Sequence, residues 1–264
     1  MLIDLILYII LGAVAGFSAG LFGLGGGVVI VPGLLWVFVQ LHFPPSIKMH
    51  LAQGCSMGTM LFTSLSSSYR HHKLHNILWP VFKKLIFYVL AGVIIGACIA
   101  WWLHGVILSI IFACYLLVVA VKMLIDKKVN PQLDKKNINL AKKILIPYHI
   151  AGGIIIGGLS GLLGIGGGTL SVPYLAYSKL NIKNAIGTSS AFTFPIAVIG
   201  TIAYIVFGYL HTENPHIPWA TGFVYWPAVI IIGPVSAICA QFGAKTTQYV
   251  PAAKLKKYFG WFVL

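Results

Sequence analysis

The feature that most constrains this chain is a glycine cluster that occurs twice, each time in the middle of an apolar stretch. Gly20-Leu21-Phe22-Gly23-Leu24-Gly25-Gly26-Gly27 runs on to Val31-Pro32, and 141 residues later Gly161-Leu162-Leu163-Gly164-Ile165-Gly166-Gly167-Gly168 runs on to Val172-Pro173. Eight of the thirteen positions from 20 to 32 are identical to their partners. The same offset pairs Gly12 with Gly153 and Gly16 with Gly157, so a ladder of small residues leads into each cluster. A weaker match at offset 135 pairs Ser46-Ile47-Lys48 with Asn181-Ile182-Lys183, and leads into Gln53-Gly54-Cys55-Ser56 and Thr188-Ser189-Ser190-Ala191. The chain is a duplication.

Three consecutive glycines, each about 1 kcal/mol worse than alanine in a helix, read as a helix break. Composition says what surrounds it. The chain is 59% hydrophobic and 8% charged with a mean hydropathy of +0.93, against roughly a quarter charged in a soluble domain. The bilayer is the solvent, and a break at membrane depth is tolerated only where protein or a water-filled cavity covers the freed backbone. A nucleotide loop is excluded. No Lys-Ser or Lys-Thr follows either cluster, and the dinucleotide spacing would need glycine at Val28 and Thr169.

The formal charge of +14 does not indicate nucleic acid, because the 18 Lys and Arg sit in short clusters between apolar stretches with no basic, aromatic-studded face. Cys55, Cys98, Cys114 and Cys239 all lie in apolar runs and read as small buried hydrophobes. No basic residue precedes the first apolar run, and that run recurs in the second half, so it reads as structure and not as a signal peptide.

Apolar pieces at 4–20 and 28–40 flank the first break, and 144–162 and 169–179 flank the second. At 1.5 Å per residue such pieces span about 17–28 Å, short of or barely matching a hydrocarbon core of ~30 Å. Full spans are expected at 51–69, 82–103, 105–125, 185–209 and 221–243, with a Lys-rich linker over 126–143. If each broken segment crossed once, the basic residues would divide 11 to 7 between the two sides. If each is a re-entrant hairpin, 17 of 18 fall on one side and only Lys48 on the other, which the positive-inside rule favours.

The expected fold is therefore an all-α integral membrane protein of two inverted repeats, 1–125 and 144–264, each a glycine-broken hairpin followed by three crossings. The N-terminus would lie outside. The stretch 258–264 matches only the start of the corresponding span in the first copy, so the last crossing is expected to be cut short.

The only acids are Asp4, Asp126, Asp134 and Glu213, all at loop or terminal positions. A cation pathway or proton relay would ordinarily carry intramembrane carboxylates. No nucleophile–base set and no metal-ligand cluster is visible, so no enzyme, metal or cofactor is expected. The Arg70-His71-His72-Lys73 run reads as a solvated loop near anionic lipid. What is present suits a small anion. The helices restarting at Val28 and Thr169 each present about +0.5 charge and free N–H groups toward the midplane. The candidate binding residues are Gly23, Gly25, Gly26, Gly27, Gln53 and Ser56 in the first copy. In the second they are Gly164, Gly166, Gly167, Gly168, Thr169, Thr188, Ser189 and Ser190. Two such helix ends contribute about 1–4 kcal/mol, while desolvating an anion costs several. The site must stay partly wet and bind weakly enough to release.

At Gly23-x-Gly25-Gly26-Gly27 with Pro32, and at Gly164-x-Gly166-Gly167-Gly168 with Pro173, the sequence resembles the TauE/SafE family of sulfite exporters and related organosulfur-anion transporters. The resemblance takes in Gly187-Thr188-Ser189-Ser190 and the Tyr69–Lys73 loop and covers nearly the whole chain. It implies secondary transport of sulfite, sulfonates, thiosulfate or similar anions across a bacterial inner membrane. A carrier or channel for another solute, such as a carboxylate or a thiol, and a non-transporting membrane scaffold are the alternatives.

Overall fold

The computed structural model describes residues 2–125, 149–178, 180–211 and 217–250. Helix α1 (Leu2–Phe22) ends where Gly23 turns to a φ of +70°, and α2 (Gly27–Gln40) begins after Gly26 at +94°. Such left-handed conformations are open to glycine at no steric cost. Helices α3 (Lys48–Lys73), α4 (Trp79–Trp102) and α5 (Gly105–Ile125) follow. The second half holds α6 (His149–Leu163), α7 (Gly168–Tyr177), α8 (Ile182–Leu210) and α9 (Trp226–Thr246), with a two-residue antiparallel pair, β1 (Ala220–Thr221) and β2 (Val224–Tyr225), before α9. Trp79-Pro80 and Trp226-Pro227 open α4 and α9 alike, proline in the first turn losing no helical bond.

The packing is reciprocal. Helix α1 lies along α9, and α6 lies along α4. Both contacts are made on glycine. A Cβ on Gly16 or Gly20 would overlap the α9 backbone at Ser236 or Ala240, and one on Gly157 or Gly161 would overlap α4 at Val89 or Val93. The central pair is α3 and α8, with α2 against α3 and α7 against α8.

The bundle buries polar side chains among its apolar core and exposes large apolar ones. His50, Gln53, Ser56, Thr63, Ser67 and His71 of α3 are buried, while Phe87, Ile94, Val118, Ile230 and Phe242 are exposed. That is the distribution expected when lipid replaces water around the bundle. The chain is a helical membrane protein. Segments of α1, α4, α8 and α9 are each long and apolar enough to cross a bilayer. Helix α3 has 26 residues, about 39 Å, but carries too many serines, threonines and histidines to read as apolar. Protein covers the face that carries Gln53, Ser56, Thr63, Ser67 and His71.

Two expectations need correction. Helix α1 has 21 residues, about 31 Å, so it is a full-length arm, whereas α2, α7 and the described part of α6 have 14, 10 and 15 residues. Residues 221–225 form the turn and strand that precede α9, so that helix begins at Trp226 and not at 221. The linker 126–143 and the final stretch 251–264 lie outside the described residues.

Candidate functional site

Each short arm folds back along its long one. A Cβ on Gly26 would lie 3.2 Å from Ala15 O, and Gly33 faces Leu11. In the second half Gly167 faces Ile156 and Ser160, and Gly152 faces Tyr174. The two hairpin tips then pack backbone against backbone. A Cβ on Gly25 would lie 3.2 Å from Gly166 Cα, one on Gly27 2.8 Å from Gly164 O, and one on Gly168 2.5 Å from Leu24 Cα. Met60 of α3 and Thr193 of α8 close over this junction. Only glycine leaves room for such an approach, which is why both clusters are needed.

At the junction each break has an N–H end and a C=O end. Val29 and Ile30 donate to Gly26 O, each at 3.0 Å, and Leu170 and Ser171 donate to Gly167 O at 3.2 and 2.7 Å. The N–H groups of Gly27, Val28, Gly168 and Thr169 stand ahead of those first intrahelical bonds. The C=O ends meet side chains from other helices. Gly20 O accepts from His71 Nε2 at 3.0 Å, Leu21 O from Thr247 Oγ1 at 3.1 Å and Gly23 O from Ser189 Oγ at 3.1 Å. In the second half Tyr204 donates to Gly161 O at 2.8 Å, and Gln53 Nε2 donates to Leu162 O at 3.0 Å.

The hydroxyls expected to face an anion are therefore mostly engaged elsewhere. Ser189 Oγ accepts from Ser171 Oγ at 2.6 Å while donating to Gly23 O. Thr188 Oγ1 accepts from the Leu78 N–H at 3.0 Å, and Thr169 Oγ1 from the Tyr115 hydroxyl at 2.6 Å. Ser190 Oγ donates to Ser67 Oγ at 2.9 Å, and Ser68 Oγ donates to Ser190 O at 2.7 Å. Ser56 Oγ alone of the candidate hydroxyls is buried without a hydrogen-bond partner among the described residues.

Gly26 and Gly167 also differ from expectation. Their missing side chains face Ala15 and Ile196, whereas Gly25, Gly27, Gly166 and Gly168 are the glycines that face the opposite tip. The physical reason is that successive residues of a turn point in different directions, which spacing alone does not reveal. His71, expected in a solvated loop, is fully buried in the last turn of α3, bound to Gly20 O and near the Asn76 amide at 3.4 Å. Tyr204, Ser171 and Tyr115 complete the cluster without having stood out in the sequence, together with Ser67 of the Ser66-Ser67-Ser68 run. The available signal was a polar residue within an otherwise apolar stretch.

Because Ser189 satisfies a freed carbonyl, Ser189→Ala is expected to lower stability by about 0.5–2 kcal/mol, whatever it does to substrate affinity. Thermal unfolding in detergent checks this. An unchanged midpoint would mean that Gly23 O finds another donor.

The family model described as Sulfite exporter TauE/SafE matches residues 8–264. The chain belongs to this family. A probable membrane transporter protein of Haemophilus influenzae is 36% identical over 261 residues, covering 98% of this chain and 95% of the relative. Probable membrane transporter proteins of Methanocaldococcus jannaschii and Bacillus subtilis (YunE) are 28% and 27% identical, covering 95% and 88% of this chain and 89% and 87% of theirs. No solved structure matches. With its apolar spans, membership of the TauE/SafE family makes the chain a membrane transporter, and its paired tips are built equally from both halves.

Proposed function

We propose that the chain is a secondary carrier for small sulfur-containing anions such as sulfite, a sulfonate or thiosulfate, held where the two glycine tips meet. The observation that carries this reading is the convergence of the short arms. Gly27 abuts Gly164–Ile165 and Gly168 abuts Gly23–Leu24, so two half-helix N-termini open on one small region lined by backbone. Gly23, Gly25, Gly26, Gly27, Gly164, Gly166, Gly167 and Gly168 shape that region. Thr169 is the second residue of α7, at its N–H end, and Ser56 on α3 offers a buried hydroxyl without a partner among the described residues. Gln53, Thr188 and Ser189 bind the backbone of Leu162, Leu78 and Gly23, and Ser190 Oγ binds Ser67 Oγ of α3. The family description supports sulfur chemistry in the substrate.

The two halves are inverted repeats in a bacterial inner membrane, with the N-terminus outside. Support comes from the reciprocal packing of α1 on α9 and α6 on α4. It also comes from the sorting of the ends. His50 meets Ala100 O and His211 at one end, and Lys183 Nζ donates to Gln248 O at the other.

Purified protein in liposomes tests both statements. Sulfite, thiosulfate or a small sulfonate should exchange faster than acetate or cysteine. Equal rates would point to a carrier of another solute, and no flux with any solute to a scaffold. With the four native cysteines replaced, single cysteines at His104, His72, Asn181 and Gln248 should label from opposite faces, His104 outside and the other three inside. Labelling of position 181 from outside would sink the re-entrant topology.

A further inference from the structure

The two C=O ends are not equivalent. In the first break each of the carbonyls of Gly20, Leu21 and Gly23 has its own donor, from His71, Thr247 and Ser189. In the second the acceptors outnumber the donors. Ile165 N–H reaches back five residues to Ser160 O, at 3.2 Å, across Gly164 at a φ of +66°, which caps the end of α6 and leaves Gly161 O and Leu162 O to side chains. Tyr204, fully buried on α8, faces Gly161 O at 2.8 Å and Gln53 Oε1 at 3.0 Å, with one hydroxyl proton for both. The Gln53 amide is already committed to Leu162 O at 3.0 Å. Turning that amide over would bring Oε1 against Leu162 O, two acceptors in contact. Among the described residues the cluster is therefore short of one donor. Ser56, one turn along from Gln53 on the buried side of α3, adds an oxygen with no partner among the described residues.

We infer that Gly161 O, Leu162 O, Gln53 Oε1, Tyr204 Oη and Ser56 Oγ form a binding site for a monovalent alkali cation, with sodium the first choice. The ligands are all neutral oxygens, and no Asp or Glu lies in α3, α6 or α8. Such a cage suits a single positive charge, whereas a divalent ion would require carboxylates. The C-terminal end of α6 adds about half a negative charge in the right direction. Broken helices hold coupling ions at such carbonyl ends in other secondary carriers. The cation would sit beside the N–H ends of the tips, so that it and an anionic substrate would each offset the other's charge in the low dielectric. The inference rests on the reading of the chain as a secondary carrier, but not on the identity of the anion.

The test titrates sodium chloride against choline chloride at constant ionic strength, on the full chain in lipid nanodiscs without any sulfur anion. Sodium should raise the unfolding temperature saturably. Tyr204→Phe should move the half-saturating concentration up by about tenfold or more, and Ser56→Ala, which breaks no hydrogen bond among the described residues, should move it up by at least about threefold. If Tyr204→Phe does not fold, Ser56→Ala decides alone. Identical titrations with sodium and choline in the wild type, or both variants titrating as the wild type does, would overturn the site and leave a buried water as the missing donor. Flux that fails with every sulfur anion while sodium still stabilises would remove the substrate reading and leave the cation site standing.

Discussion

Gly157→Ala is expected to lose most of the folded protein, whereas Gly158→Ala, one residue along the same helix, keeps it. The two glycines have the same local sequence context and the same helical propensity. They differ in what a methyl group would meet. On Gly157 it would overlap Val89 O and stand 2.8 Å from Val89 C and 2.9 Å from Val93 N, all backbone atoms of α4. No rotamer change relieves such a clash, so α4 and α6 would have to separate along their shared face. Overpacking of this kind costs about 1–3 kcal/mol or more, and helix pairs in lipid lack a hydrophobic term to hold them at a wider spacing. On Gly158 the nearest atom would be Gly92 O at 3.8 Å, ordinary contact. There alanine gains about 0.5–1 kcal/mol of helix propensity. The yield of monodisperse protein after size exclusion measures both, with about a tenfold drop expected for Gly157→Ala and none for Gly158→Ala. Equal yields would show that the α4–α6 contact is looser than its geometry implies.

The second large effect concerns transport itself. Gly168→Ala should reduce flux by more than about tenfold, while Gly167→Ala retains most of it. A Cβ on Gly168 would overlap Gly23 O and lie 2.5 Å from Leu24 Cα, so it wedges one tip from the other. A Cβ on Gly167 would meet the end of the Ile196 side chain at 2.8 Å, and an isoleucine methyl can move aside. Gly167 has a φ of −53°, and Gly168 is the first residue of α7, outside the left-handed region, so alanine adds no backbone strain at either position. The comparison therefore isolates the tip junction. Rates are read in liposomes holding equal amounts of folded protein. Flux at the wild-type rate in Gly168→Ala would place the translocation route away from the tips.

Much of the architecture was legible because it depends on sums along the chain. Low charge and high hydropathy required a bilayer, and the glycine runs at a constant offset required two broken helices of related form. The Trp79-Pro80 and Trp226-Pro227 pairs offered a further repeat signal, since both open the same helix of their half. Helix length was less legible. A glycine run shows that a helix stops, but not whether the arm before it has already spanned the membrane, as α1 does by length. Hydropathy also undervalues α3, most of whose polar residues from His50 to His71 are buried against other helices.

What the sequence by itself determined was thus the solvent, the duplication, the helix breaks and the absence of acids from the spans, all properties of composition and local spacing. Only the tertiary structure decided which side chain serves which backbone group. Ser189 and Gly23 are 166 residues apart, and Tyr204 and Gln53 are 151 apart. A hydrogen bond is directional and reaches about 3 Å, so whether a hydroxyl caps a carbonyl or faces a solute depends on which helices touch and at what rotation. The glycines that let the helices touch are visible in one dimension. The partners they bring together exist only in three.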